Sequence, residues 1–277
     1  MQIGVFAKTF DGQDPHSVFA ACRDAGFATA QYNMACSGLG ALPPDIPQAA
    51  ATRVRDAAAA TGMRIAAISA TYNMTDPDAD SRLAGRAAFD AIAAAAAIMG
   101  SDMLTVCSGS LDPHDKWRRH PDNDLAQSWS AMCAEFEILC DCAARHGVLI
   151  GVEPEPGNIV GDAEKAARLL ATFAGGPIRI IFDPANIIED VPAARHTQTI
   201  EHALDLLGGH IALAHAKDRH EDGSVAPAGK GVIDWPHLLR GLSDAGFDGP
   251  LIAHGMSAAE APGVASFLAR QTGGRRR

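Results

Sequence analysis

Eight short β-prone runs recur along the 277-residue chain, each followed by a longer helix-prone stretch, and this alternation constrains the fold more than any other feature. The runs are 2–6 (QIGVF), 28–32 (ATAQY), 64–69 (RIAAIS), 102–107 (DMLTVC), 148–153 (VLIGVE), 178–182 (IRIIF), 210–214 (HIALA) and 249–253 (GPLIA). Helical stretches fill the intervals at 15–25, 47–61, 79–99, 124–146, 161–173, 197–207, 235–244 and 257–270. Parallel strands need a long crossover between them, and a helix is the usual one, so this order implies a parallel sheet with helices packed on it. Glycines in AGF (25–27), TGM (61–63), MGS (99–101), HGV (146–148) and AGF (245–247) each stand between a helix and a strand, where a left-handed C-cap is expected.

Eight strand–helix units favour closure into a ring over a doubly wound sheet, which usually has fewer strands and carries a phosphate-binding glycine turn near its start. Neither GxGxxG there nor GxxxxGK[ST] anywhere is present. The fold class expected is therefore α/β, a single (β/α)8 TIM barrel. Such barrels run to roughly 250 residues as one unit, so residues 1–277 are read as one domain. Residues 271–277, ending in three arginines behind Gly273 and Gly274, are expected to be a flexible basic tail.

The formal net charge of −10 argues against a nucleic-acid backbone or an anionic membrane as partner, since both need a basic face. A small molecule fits better. No basic leader precedes QIGVF, and no segment, the alanine-rich 87–99 included, reaches the roughly 18 uncharged apolar residues of a membrane span. Six cysteines without a repeated CxxC pair read as reduced thiols, so a cytoplasmic location is expected.

Ionisable residues interrupt the apolar runs at one end only. Glu153 ends VLIGVE, Asp183 follows IRIIF, His215 follows HIALA and His254 follows GPLIA. They are 30, 32 and 39 residues apart, but parallel strands bring their carboxyl ends to one mouth. Two carboxylates with one or two imidazoles make a donor set for a divalent metal, Mn first, with Mg, Co or Zn as alternatives. Nothing in it demands sulfur. A strand-end carboxylate can instead cap a helix or pair with a lysine.

In HAKD, Lys217 can fix an oxyanion or hydroxyl, and Asp218 can orient a ligand or hold a second ion; a surface ion pair is the plain alternative. Tyr72 and Asn73 follow the third run and Cys107 ends the fourth. The stretches 34–46, 107–123 and 218–231 are the least regular and all follow strands, on the face where barrel loops shape pockets. Trp117, Arg118 and His120 in the second of these can wall a polyol pocket, or pack between subunits of a homo-oligomer.

Several segments resemble the xylose isomerase-like TIM barrels, the group of sugar isomerases, epimerases and their relatives. GVEPEPGNIV is similar to the fifth-strand metal-glutamate segment, IFDPANII to the sixth-strand aspartate segment and HAKD to the seventh-strand histidine segment. GKGVIDWPHLLRGLSDAGFDGPLIAH resembles the closing stretch, and the likeness reaches the first half through AGF and ISATYNM. The resemblance implies Glu153, Asp183 and His215 as metal ligands, with Glu153 also as a proton-transfer base. Two positions depart from the pattern. Asn186 stands where Asp-x-x-His is frequent, and His254 where a glutamate usually completes the site.

The function implied is a divalent-metal-dependent isomerase or epimerase moving a proton beside the metal-bound carbonyl of a ketose or related polyhydroxy compound. Glu153, His254 and Lys217 would carry catalysis. Asn73, Trp117, Arg118, His120, Asn186, Lys217 and Asp218 would bind substrate. A metal-dependent lyase, dehydratase or hydrolase of a sugar or keto acid, with Arg118 or Arg119 on the carboxylate, is the alternative enzyme. A barrel that binds a metabolite without turnover is the non-enzymatic one.

Overall fold

The computed structural model describes residues 1–273. Its strands are β1 (Gln2–Phe6), β2 (Thr29–Tyr32), β3 (Arg64–Ser69), β4 (Met103–Val106), β5 (Leu149–Val152), β6 (Ile178–Phe182), β7 (Ile211–Arg219), β8 (Val225–Pro227) and β9 (Pro250–Ala253). All except β8 pair in parallel with two neighbours each, β1 through β7 in chain order, and β9 joins β7 to β1. The ring is therefore a closed eight-stranded parallel barrel.

Around it lie α1 (Pro15–Asp24), α2 (Gln48–Thr61), α3 (Ala79–Met99), α4 (Ala126–His146), α5 (Ala163–Thr172), α6 (Pro184–Ile187), α7 (His196–Leu207), α8 (Trp235–Asp244) and α9 (Ala261–Gln271). Eight of these follow the eight barrel strands. The short α6 is additional, and none of the helices is long and apolar enough to cross a membrane.

Local chemistry sets the boundaries. The five glycines expected to stop helices, Gly26, Gly62, Gly100, Gly147 and Gly246, all have positive φ. α5 begins at residue 163 rather than 161 because the Asp162 carboxylate accepts the Lys165 amide at 2.7 Å, as an N-cap does. A 3₁₀ turn over Pro121–Asp124 delays α4 to residue 126. α9 starts at residue 261, after a turn in which Ser257 donates from its amide and hydroxyl to Glu260.

Two expectations need correction. The stretch 218–231 is partly ordered: β7 runs on through Arg219 and its extension pairs antiparallel with β8, Lys217 opposite Pro227 and Asp218 opposite Ala226. The tail does not begin at residue 271, because Gln271 closes α9 and Thr272 still bonds its amide to the Leu268 carbonyl. The three terminal arginines lie outside the described residues.

The main core lies between barrel and helices, where Ile68, Leu104, Ile150 and Ile180 meet Phe89, Ile92, Phe136 and Leu169, all buried. Inside the ring is a second, smaller core of Ala67, Met103, Ile181, Leu213 and Ile252. Strand side chains alternate faces, so two residues beyond Ile181, Leu213 and Ile252 the chain again points inward. Those positions are Asp183, His215 and His254. The apolar plug fills the barrel up to the layer where the polar residues begin.

Candidate metal and active site

Glu153 directly follows β5, Asp183 follows β6 and His215 lies within β7, a strand longer than its apolar run suggests. One donor atom from each lies within 4.8 Å of the others. His215 Nδ1 is 3.0 Å from Glu153 Oε1 and 3.4 Å from Asp183 Oδ2. Asp183 and His215 are 0% and 1% exposed at the side chain, whereas Glu153 retains 15%. Glu153 is thus the member of the trio that can meet a substrate.

The floor beneath them was not singled out from the sequence. Gln31, buried on β2, faces His215 Nε2 with its oxygen at 3.0 Å and directs its amide nitrogen at Ser69 Oγ and Thr105 Oγ1, both at 3.3 Å. An acceptor at Nε2 calls for a proton there, which leaves Nδ1 facing the carboxylates. The signal was available: Gln31 and Thr105 are polar residues set within apolar strands.

Lys217 shares the inward face of β7 with His215. Its Nζ is 2.9 Å from Asp183 Oδ2 and donates to Asn186 Oδ1 at 2.6 Å. Asn186 passes the link on, donating to Glu153 Oε1 at 3.0 Å. Asn186 thereby braces Lys217 against Glu153. Burial opposes every charge here, but the opposite signs overcome it. Glu153 and Asp183 raise the His215 imidazole to about 10, and Lys217 with His215 holds the Asp183 carboxyl far below the usual range. The same carboxylates keep the Lys217 amine protonated.

His254 stands beside this cluster. Its ring lies flat on Phe6, with centroids 5.4 Å apart and planes at 6°, and 5.4 Å from the His215 ring. Burial and the neighbouring His215 charge push it down to about 4, so at neutral pH it is an uncharged imidazole able to offer a lone pair. Two buried side-chain atoms among the described residues lack a hydrogen bond: His254 Nδ1 has no polar partner, and Asp183 Oδ2 is held only by its ion pairs with Lys217 and His215. Buried polar atoms are rarely left so, and both belong to residues of the expected ligand set. The two carboxylates and the His215 imidazole converge closely enough to fit a divalent ion, with the His254 ring beside them.

Glu155, also not anticipated, lies with Cys107 next to Glu153, their donor atoms within 4.8 Å of one another. Burial and the Glu153 charge push its carboxyl up to about 8, and burial raises the Cys107 thiol well above its ordinary value. Asn186, Lys217 and Glu155 complete a polar ring around Glu153, Asp183 and His215.

The other candidates lie elsewhere. Asp218 alternates to the opposite side of β7 from Lys217, where its two oxygens accept four N–H groups: Arg219 and Ile233 amides on one, the Gly229 amide and Trp235 Nε1 on the other. It anchors the turn leading to α8 and has no oxygen left for substrate. Asn73 clips two loops together, bonding both the amide and the carbonyl of Ser110. Tyr72 points away from the mouth to Glu135 on α4, at 2.7 Å.

Arg118 is held by both oxygens of Asp112, at 2.6 and 2.8 Å, and His120 Nδ1 accepts the Asp122 amide at 3.2 Å as the cap of the 3₁₀ turn. Trp117 is 47% exposed and, with Asn73, Asp112 and Lys116, lines a recess of about 360 Å³; Arg118 and His120 do not. That loop is pressed on the one after β5, since a Cβ on Gly157 would collide with the Trp117 carbonyl. A broad concavity of about 2210 Å³ lies at the amino-terminal end of the barrel, around Met1, Arg64 and Asp102, away from all of these groups.

A family model described as "xylose isomerase-like TIM barrel" matches residues 19–268. No curated protein sequence matches the chain. Among solved structures, 3-keto-D-glucoside 4-epimerase from E. coli superposes with a TM-score of 0.74 over 99% of each chain at 20% identity. D-psicose 3-epimerase superposes at 0.71 over 99% of this chain and 100% of its own, at 16% identity. A xylose isomerase-like TIM barrel protein from Mycobacterium smegmatis, solved in complex with magnesium, gives 0.70 over 92% and 87% at 13% identity. At these identities the likeness is one of fold.

Proposed function

Since the chain belongs to the xylose isomerase-like TIM barrel family, we propose that it is a divalent-metal-dependent isomerase or epimerase of a keto sugar or related polyhydroxy carbonyl compound. The observation that carries this is the convergence of one donor atom each from Glu153, Asp183 and His215 within 4.8 Å of one another, with the unpartnered Nδ1 of His254 beside them. Glu153, Asp183, His215 and His254 would hold the ion. A mixed oxygen and nitrogen donor set favours manganese over magnesium, with cobalt and zinc as substitutes. That structural relatives include two sugar epimerases and a magnesium complex supports the same reading.

The bound ion would supply Lewis acidity, polarising a carbonyl so that the neighbouring C–H becomes acidic. Glu153 is the base, being the least buried of the three clustered ligand residues and the one within reach of a substrate carbon. The Lys217 ammonium, 7% exposed as a residue, donates to a substrate oxygen and stabilises charge that develops there. Asn186 keeps Lys217 and Glu153 at fixed separation.

The sugar-acid lyase reading is weaker because its carboxylate-binding arginines are already paired, Arg118 with Asp112 and Arg119 with Asp124. Six free cysteines, four of them buried, are in keeping with a reducing, cytoplasmic setting. The test is incorporation of solvent deuterium into candidate ketoses by Mn-loaded protein. Exchange at the carbon next to the carbonyl is expected; turnover of a sugar without any exchange would rule out proton transfer with the medium.

A further inference from the structure

We propose that Asp90 on α3 and Cys142 and His146 on α4 form a second metal site, on the helical layer outside the barrel, for a thiophilic divalent ion of the zinc type. Cys142 and His146 are four residues apart, so on a helix they lie on the same face, one turn above the other. Asp90 reaches them from the adjacent helix. Its Oδ1 is 3.0 Å from Cys142 Sγ and 3.0 Å from His146 Nε2. All three donor atoms lie within 4.8 Å of one another.

Sulfur, imidazole nitrogen and carboxylate oxygen are the three donor types that zinc combines in tetrahedral sites. Bonds of about 2.0–2.3 Å in a tetrahedron put ligand atoms roughly 3.4 Å apart. The observed separations from Asp90 need only a few tenths of an ångström of spreading. The fourth position is open to water, because the Asp90 side chain is 52% exposed and that of His146 is 26% exposed.

A cation is already drawn to this oxygen. Arg145 donates to the same Asp90 Oδ1 at 2.9 Å, so one carboxylate oxygen gathers three donors, two of which can exchange a proton for a metal. The Arg145 side chain is 61% exposed and can swing into solvent. On binding, the Cys142 S–H bond breaks, a sulfur–metal bond forms and the proton leaves to solvent. His146 shifts its proton from Nε2 to Nδ1 by exchange with solvent, which frees the Nε2 lone pair for the metal. No electrons are transferred.

The site is separate from the barrel mouth. His146 lies on the rim of the amino-terminal concavity, and the proposed catalytic step uses none of the three residues. A bound ion would staple α3 to α4 through a link that neither helix makes alone.

The test is titration of metal-stripped, fully reduced protein with Co²⁺, read by the near-ultraviolet absorption of cobalt–thiolate charge transfer. The band should be complete by two equivalents, the barrel mouth taking the other ion, and Cys142→Ser should abolish it. His146→Gln should weaken binding at least tenfold, while Cys107→Ser and Asp183→Asn should keep the band. No band in the unaltered protein, or a band that survives Cys142→Ser or disappears with Cys107→Ser, would overturn the proposal. Should Cys142→Ser fail to fold, the partly exposed His146 decides: unchanged Co²⁺ affinity in His146→Gln overturns it, and a tenfold loss upholds it.

Discussion

His215 and His254 stand with ring centroids 5.4 Å apart in opposite charge states, the first held protonated by two carboxylates and the second held neutral by burial and by the first. An entering dication would take the place of the His215 proton and recruit the His254 lone pair. His254→Ala is therefore expected to weaken Mn²⁺ binding about tenfold or more, by isothermal titration. His254→Glu adds about one unit of negative charge and exchanges nitrogen for oxygen, so Mg²⁺ should gain affinity relative to Mn²⁺.

Lys217 is the counter-charge of Asp183 in the metal-free protein, 2.9 Å away and almost fully buried. Removing one partner of a buried pair strands the other, so Lys217→Met should lose about 3–5 kcal/mol in urea unfolding without metal. Saturating Mn²⁺ binds only the folded state and supplies positive charge at the same carboxylate. The stability gap should narrow as metal is added.

Gln31 orients His215 from the side away from the carboxylates. Gln31→Ala should cost 10–100-fold in metal affinity, roughly the effect of removing a ligand's outer hydrogen bond. The loss should appear in the titration, with little change in far-ultraviolet circular dichroism.

Asp218 belongs to the scaffold, since its four acceptor bonds go to the Arg219 amide at the end of β7, to Gly229 and Ile233 in the turn before α8, and to Trp235. Asp218→Ala should destabilise by about 3 kcal/mol, because several buried N–H groups lose a charged acceptor together. Turnover per folded molecule should stay within about twofold. A selective fall in kcat/KM at full folding would place Asp218 in the site after all.

The loop carrying Trp117 should respond to acid. The Arg118 guanidinium, with the His114 and Asp115 amides, holds the Asp112 carboxyl well below its ordinary value. A depressed folded-state value means that the contribution is complete above the unfolded value of about 3.9 and is lost as pH falls through the folded one. Trp117 emission should shift in that acid window before global unfolding, and Asp112→Asn should remove the local transition. Trp129 and Trp235 are buried and report the global step.

The barrel was legible because each unit repeats the same physics, a short apolar run and then a helix, with a glycine stop after five of the eight. Glu153, Asp183 and His215 were legible for a related reason. An ionisable residue two positions beyond an inward apolar one must point into the same interior, and parallel strands collect such residues at one mouth. Asp218 misled because HAKD reads as one motif, whereas strand alternation sends Lys217 and Asp218 to opposite faces.

Gln31 and Glu155 escaped notice for opposite reasons. Gln31 is uncharged and its meaning depends on a histidine 184 residues away. Glu155 is one carboxylate of two in EPEP, and only the fold brings Cys107 beside both. Arg118 and His120 looked available in a polar loop, but the loop consumes them in its own turns, through Asp112 and Asp122. Side chains that hold a loop together and side chains that await a ligand look alike until the hydrogen bonds are counted.

Whether the barrel mouth is a divalent metal site can be read by titrating Mn²⁺ into chelator-stripped protein and following the loss of the free-ion signal by electron paramagnetic resonance. One tight Mn²⁺ per chain is expected, weakened at least tenfold by Asp183→Asn and unaffected by Cys142→Ser. Failure of the folded protein to bind Mn²⁺, or binding of equal strength in Asp183→Asn, would contradict a metal site there.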